Sequence, residues 1–126
     1  MRRLENKVAL ITGAGRGQGE YESKLFAEEG ASVVLCDVDA DSCERITADI
    51  ISKGGKAASF NLDVTSEEGW ISAIDFATNL FGNLDILVNN AGIYSRVPIR
   101  EASEKEFDRI LSVNLKGVFL GTKQSI

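Results

Sequence analysis

Short apolar runs alternate along this chain with longer segments whose apolar residues recur at helical spacing. The runs Val8–Ile11, Ser32–Cys36, Ala57–Asn61 and Leu84–Val88 read as buried strands. The segments Gln18–Glu29, Ala40–Lys53, Ser66–Leu80 and Ser103 to the C-terminus read as helices. Gly30 and Gly54-Gly55 stand where helix stops belong. Thr65 or Ser66 is placed to cap the third helix, with Glu67 and Glu68 at its positive end. Ser103 and Glu106 have capping-box spacing at the start of the fourth. A βαβαβαβα order with solidly apolar strands predicts an α/β fold, a parallel sheet with helices on both faces. Right-handed crossovers make it a doubly wound sheet of order 3-2-1-4. The order reverses between strands one and four, so a ligand is expected beside the residues after Ile11 and after Val88.

The polar residues at those strand ends fit that geometry. Thr12-Gly13-Ala14-Gly15-Arg16-Gly17-Gln18-Gly19 directly follows the first strand and opens the first helix. Glycines there let the backbone turn tightly and let a pyrophosphate approach, and the helix N-terminus favours its charge. Asp37 follows the second strand, at the place where a Rossmann-type unit carries an acid for the adenosine ribose hydroxyls. A carboxylate there repels a 2′-phosphate, whereas Arg16 would attract one. Since Val38 and not a base follows Asp37, NAD(H) is favoured over NADP(H). A helix-capping role suits Asp39 or Asp41 better than Asp37. Asp63-Val64, after the third strand, reads either as a turn or as a carboxylate and N–H bracketing an adenine. Asn89-Asn90-Ala91-Gly92 ends the fourth strand, where small residues allow close approach and amides can tie loops together. Asn114 reads by itself as an exposed polar residue of an amphipathic helix.

Composition narrows the classes. The chain has 126 residues, enough for one domain with one core. Its net charge of −5 argues against nucleic-acid or anionic-membrane partners. No apolar run has transmembrane length and no signal-peptide pattern follows Met1, so the cytoplasm is the expected location. There is no histidine, which removes the commonest metal ligand and general base, and no metal site is expected. Cys36 and Cys43 are expected to be reduced thiols, the first in the core and the second on a helix.

The joint pattern resembles a classical short-chain dehydrogenase/reductase over essentially the whole chain: Thr12-Gly-x-x-x-Gly17-x-Gly19, Asp37, Asp63-Val64, Asn89-Asn90-Ala91-Gly92 and Asn114. The resemblance implies that Gly13 through Gly19, including Arg16, Gly17 and Gln18, hold the pyrophosphate side of a nicotinamide dinucleotide. Asp37 and Val38 would meet the ribose, Asp63 and Val64 the adenine, and Asn90, Ala91, Gly92 and Ile93 the central cleft. Asn114 would sit at a helix kink and position a water of the proton relay. The implied reaction moves hydride between an alcohol or ketone carbon and nicotinamide.

The sequence also departs from that family. Its chemistry needs a serine and a tyrosine four residues before a lysine, the tyrosine being the general acid/base. The only tyrosines here are Tyr21 and Tyr94, followed four residues on by Leu25 and Pro98. Lys24 and Lys116 are expected to be solvated, and Lys123 has no tyrosine at that spacing. The chain is therefore expected to be the N-terminal, cofactor-binding half of a truncated fold, inactive alone. A non-catalytic dinucleotide-binding module or partner subunit is the alternative. A methyltransferase is disfavoured by the double asparagine and the spacing of the last glycines. Strand four should be an open edge and Val118 and Phe119 should be bared, giving a marginal monomer that associates through the sheet edge or as a homo-oligomer. Tyr21 with Leu25 is expected on the face of the first helix that packs on the strands, with overpacking as the consequence. Gln18 is expected to bond a phosphate or ribose or merely to fill space.

Overall fold

A computed structural model describes residues 2–126. Four parallel strands lie in the order β3-β2-β1-β4. They are β1 (Val8–Thr12), β2 (Ser32–Asp37), β3 (Lys56–Asn61) and β4 (Ile86–Val88). The connecting helices are α1 (Gly17–Glu28), α2 (Ala40–Ser52) and α3 (Glu67–Phe81). After β4 come a short 3-10 turn (Ile99–Glu101), α4 (Glu104–Leu111), a π turn (Ser112–Lys116) and α5 (Gly117–Ser125). Central strand β1 is wholly buried, as expected of a strand covered on both faces. Its partners are in register, with Leu10 opposite Val34 and Leu87.

Alternation along the strands builds two cores. Leu10, Val34 and Cys36 face α3 and α5, packing on Trp70, Ala73, Ala77 and Leu120. Ile11, Val33 and Leu35 face α1 and α2, packing on Ala27, Cys43, Ile46 and Ile50. Cys36 and Cys43 are therefore buried thiols belonging to opposite layers. Burial pushes the Cys43 thiol up to about 12 and Cys36 higher still.

The α3–α5 layer closes on one tight contact. Trp70 is fully buried, and its indole N–H donates to the Val64 carbonyl at 2.9 Å. A Cβ on Gly121 would stand 2.6 Å from two atoms of that ring. Gly121→Ala is accordingly expected to lower stability by about 1–3 kcal/mol, read as a fall in the chemical-denaturation midpoint.

Three caps come from the expected side chains. Asp39 accepts from Ser42 N, Ser66 from Gly69 N and Ser103 from Glu106 N. Gly30 and Gly54 take φ +98° and +89°, as helix stops do. Strand β4 is shorter than the apolar run predicts. Asp85, just before it, uses its carboxylate to accept from Val8 N, 2.9 Å away, while its own N–H donates to the Val8 carbonyl. The side chain thus replaces a rung of the ladder.

One expectation is overturned. Tyr21 is 68% exposed, and it is Gly19, Ser23 and Ala27 that α1 buries. These recur every four residues along one face, and Tyr21 lies about 200° round the helix from Gly19. The close-packed face therefore carries only small residues, and no overpacking arises. Lys24 keeps 36% of its side chain exposed, as expected of a solvated lysine, and pairs with Glu20 at 2.8 Å and Asp49 at 3.7 Å.

Several exposed carboxylates are held below their ordinary values: Glu29 by a hydrogen bond from Arg3, Glu67 by Lys123, Glu106 by Arg109, and Asp39 by Ser42. A depressed acid contributes stability that is present above its unfolded pKa and is lost as pH falls through its folded one. Stability is expected to decline below about pH 4.5 and to stay flat from about pH 5.5 to 7, where the absence of histidine leaves no side chain of ordinary pKa to titrate. Urea midpoints across that range check it; a step near neutrality would contradict it.

Candidate functional site

A cleft of about 380 Å³ opens at the C-terminal ends of the strands, where the order reverses between β1 and β4. It is lined by Gly13, Arg16, Asp37, Val38, Asp63, Val64, Asn90, Ala91, Gly92 and Ile93. Ten of the residues singled out in the sequence thus meet on one surface, drawn from four separate strand ends. Leu62, Arg109 and Val113 also line it and were not among them. Leu62 continues β3, and its apolar character gave no sign beyond core packing. Arg109 and Val113 lie one helical turn apart, a helix-face relation that appears only once the helix is placed beside the cleft.

Thr12 joins the two halves of the cleft. Its hydroxyl accepts from the N–H groups of Asn90 and Ala91, each at 3.0 Å, and donates to the Val88 carbonyl at 3.4 Å. The one donor and both acceptor positions of the hydroxyl are then used. Asn90 answers with its side-chain amide, which donates to the Gly13 carbonyl at 3.2 Å. A Cβ on Gly13, at φ +62°, would lie 2.9 Å from the Ala91 Cα. The glycine turn and the loop after β4 are therefore held as one unit. Thr12 had been legible only as the first letter of the glycine motif.

The turn is held on its other side by Asp37. One carboxylate oxygen accepts from Gly15 N at 2.9 Å and the other from Asp39 N at 3.1 Å. Gly15 is needed at this approach, since a Cβ there would meet that carboxylate at 2.9 Å. Arg16, at the N-cap of α1, makes no side-chain hydrogen bond to the helix's first turn. This sets α1 apart from α2, α3 and α4, whose caps are all filled. Gly17, at φ +58°, has open space beside its Cα. Gly19 instead packs inward beneath Gly13, and Gln18 turns away to the Glu22 carboxylate at 3.3 Å. These three residues lie outside the lining.

Asp63 makes a turn at the cleft wall. One of its oxygens accepts from the Thr65 N–H and hydroxyl at 2.9 and 2.7 Å, forming a turn, while the residue still lines the cleft. Val64 is fixed from behind by Trp70 and packs against α5, where a Cβ on Gly117 would stand 2.8 Å from it.

Asn114 sits in the middle of the π turn, where Gly117 N bonds the Ser112 carbonyl. Its side chain clasps the backbone of Ile93: the amide oxygen accepts from Ile93 N at 2.8 Å and the amide nitrogen donates to Ile93 O at 2.7 Å. Both polar groups of one residue are thereby satisfied by one side chain. The clasp pins the last stretch of the β4 loop against the helix. No group of three His, Cys, Asp or Glu is placed to hold a metal among the described residues.

The parallel 3-2-1-4 sheet, with its cleft at the strand reversal, is that of a Rossmann-type domain. The chain belongs to the short chain dehydrogenase family, whose profile matches residues 7–126. It is 42% identical to the cyclopentanol dehydrogenase of Comamonas testosteroni over 126 residues, covering 100% of this chain and 50% of that protein. It is 41% identical to tropinone reductase-like 1 of Erythroxylum coca, covering 98% of this chain and 46% of that protein. A 3-ketoacyl-(acyl-carrier-protein) reductase from Brucella melitensis, solved in complex with NADH, superposes with TM-score 0.91 at 44% identity, over 98% of this chain and 50% of that one. A short-chain type dehydrogenase/reductase from Mycobacterium marinum gives TM-score 0.93 at 36% identity, over 97% and 49%. The chain thus spans about half the length of the curated relatives it matches.

Proposed function

We propose that this chain is the dinucleotide-binding half of an NAD(H)-dependent short-chain oxidoreductase acting on an alcohol or ketone. The observation that carries the reading is the Asp37 carboxylate closing on Gly15 N beside an α1 N-terminus that has no side-chain cap. Amide donors and a helix dipole are there for a pyrophosphate, and a carboxylate stands one turn away for ribose hydroxyls. Gly17 leaves open the space that a Cβ would fill, which fits close approach of a phosphate.

In this reading the first turn of α1, with Gly17 and Gln18, binds the pyrophosphate through its backbone, and Arg16 faces its charge. Gly19 allows the turn to close. Asp37 and Val38 hold the adenosine ribose and favour NAD(H) over NADP(H). Asp63 and Val64 meet the adenine, and Asn90 to Ile93 form the floor beneath the nicotinamide. A bound nicotinamide would supply the ring carbon that accepts or donates hydride. Asn114 holds Ile93 in place and positions a relay water. The 126 residues contain no Tyr-x-x-x-Lys pair to move the proton, so hydride transfer is assigned to the whole protein and not to this half.

The location proposed is the cytoplasm; no helix among the described residues is long and apolar enough to cross a membrane. Leu115 and Phe119, 64% and 61% exposed, continue an apolar stripe from Leu111 through the π turn into α5. Such a stripe supports association of chains, as homo-oligomers or through the β4 edge. Sedimentation as a monomer at tens of micromolar would oppose that.

Titration with NADH, followed by assays with NAD⁺ and a panel of secondary alcohols, tests the main reading. Binding without turnover is expected. Absence of NADH binding would overturn it, and turnover by these 126 residues would overturn the assignment of chemistry to the whole protein.

A further inference from the structure

Arg109 lies in the cleft wall but is claimed by none of the roles above. It stands on α4 one helical turn before Val113, and both residues line the cleft. The helical path through Val113 continues to Gly117, which packs directly on Val64. Arg109, Val113 and Gly117 therefore form a stripe rising from the Asp63-Val64 turn toward solvent. Any flat group seated on Val64 would have Arg109 beside its outer part.

The guanidinium is also oriented in advance. Its Nε donates to one oxygen of Glu106 and its Nη2 to the other, both at 3.1 Å. The Glu106 backbone is fixed at the start of α4, its N–H donating to the Ser103 hydroxyl at 3.0 Å. Two parallel bonds to one carboxylate fix the plane of an otherwise flexible side chain. They also offset its charge locally, so its pull on distant phosphates is weak. What remains to be offered to a ligand is a planar, weakly hydrated surface, the feature by which arginine stacks on aromatic rings.

We propose that Arg109, oriented by Glu106, is the outer jaw of the adenine slot and binds the base by stacking its guanidinium plane against the ring. This rests on the dinucleotide reading of the cleft. It makes Arg109 a binding residue for the purine and leaves the hydride-accepting end untouched.

The test is a set of binding titrations on the chain with NADH, ADP-ribose and nicotinamide mononucleotide, which lacks the adenine. Arg109→Ala is expected to weaken NADH and ADP-ribose by about two- to fivefold, the range for an exposed cation over a ring, and to leave nicotinamide mononucleotide unchanged. Arg109→Lys keeps the charge without the plane and is expected to behave like the alanine variant. Glu106→Gln loosens the pair and is expected to give a smaller loss of the same pattern. Arg109 and Glu106 are exposed enough that circular dichroism should show the fold intact in all three. Unchanged NADH affinity in Arg109→Ala overturns the proposal, and so does full retention by lysine or an equal loss for nicotinamide mononucleotide. If the unaltered chain binds neither NADH nor ADP-ribose, the dinucleotide reading falls first and takes this inference with it.

Discussion

Replacing Gly19 by alanine is expected to abolish measurable NADH binding and to lower stability by about 1–3 kcal/mol. The reason lies underneath the cleft. A Cβ on Gly19 would run into the carbonyl oxygen of Gly13 and stand 2.7 Å from the Asn90 side-chain nitrogen. Those two atoms are hydrogen-bonded to each other, and that bond joins the glycine turn to the β4 loop. One methyl therefore strikes backbone, which cannot swing aside as the end of a flexible side chain can. Either α1 moves off the sheet or the Gly13–Asn90 bond breaks, and each opens the turn. Gly17→Ala makes a useful contrast. No other part of the fold lies within 4 Å of its Cβ position, so its cost to folding comes only from φ +58°. The ranking to be measured is Gly19 worse than Gly17 in both denaturant midpoint and NADH titration. Equal effects at the two positions would mean that conformational freedom, and not close packing, is what the motif needs.

The second large effect concerns Asp37. Its carboxylate performs two tasks that a pair of variants separates. Asp37→Asn keeps an oxygen able to accept from Gly15 N but removes the charge. Asp37→Ala removes both and leaves the loop N–H without its partner. Like charges about 4 Å apart in a partly solvated site cost on the order of 1–4 kcal/mol, so loss of the charge should shift the NADPH-to-NADH affinity ratio by about fivefold or more in both variants. Only the alanine variant should also lose affinity for NADH through a loosened glycine turn. The check is parallel titration of both variants with the two cofactors. An unchanged ratio would remove Asp37 from cofactor choice and leave it a purely structural clamp.

How much of this could be read in the residues themselves differs between elements. The strands and their order were legible because short, solidly apolar runs separated by helix-period segments leave few alternatives to a doubly wound parallel sheet. Asp37 and the Asn90 loop were legible because topology alone brings the ends of β2, β1 and β4 to one edge. Tyr21 misled because the face of α1 that packs on the sheet depends on the helix's rotation. The small residues Gly19, Ser23 and Ala27 fixed that rotation, and a glance at bulk along the sequence does not reveal it. The π turn at Ser112–Lys116 was invisible to periodicity: one extra residue in one turn shifts the pattern by too little to register over so short a helix. Only the family resemblance implied a departure from regular helix at Asn114, where the π turn lies.

The sequence by itself determined the layers of this protein, the strand order and the edge at which its polar residues gather. Those follow from local preference and from chain connectivity, which a linear pattern records. Tertiary structure alone decided which of those residues hold one another. Thr12 bridging the two loops, Asn114 clasping Ile93, and Arg109 with Val113 entering the cleft wall are arrangements across dozens of residues or across helix turns, set by how helices rotate as they dock. Rotation is settled by packing on the finished sheet, and no residue carries it alone.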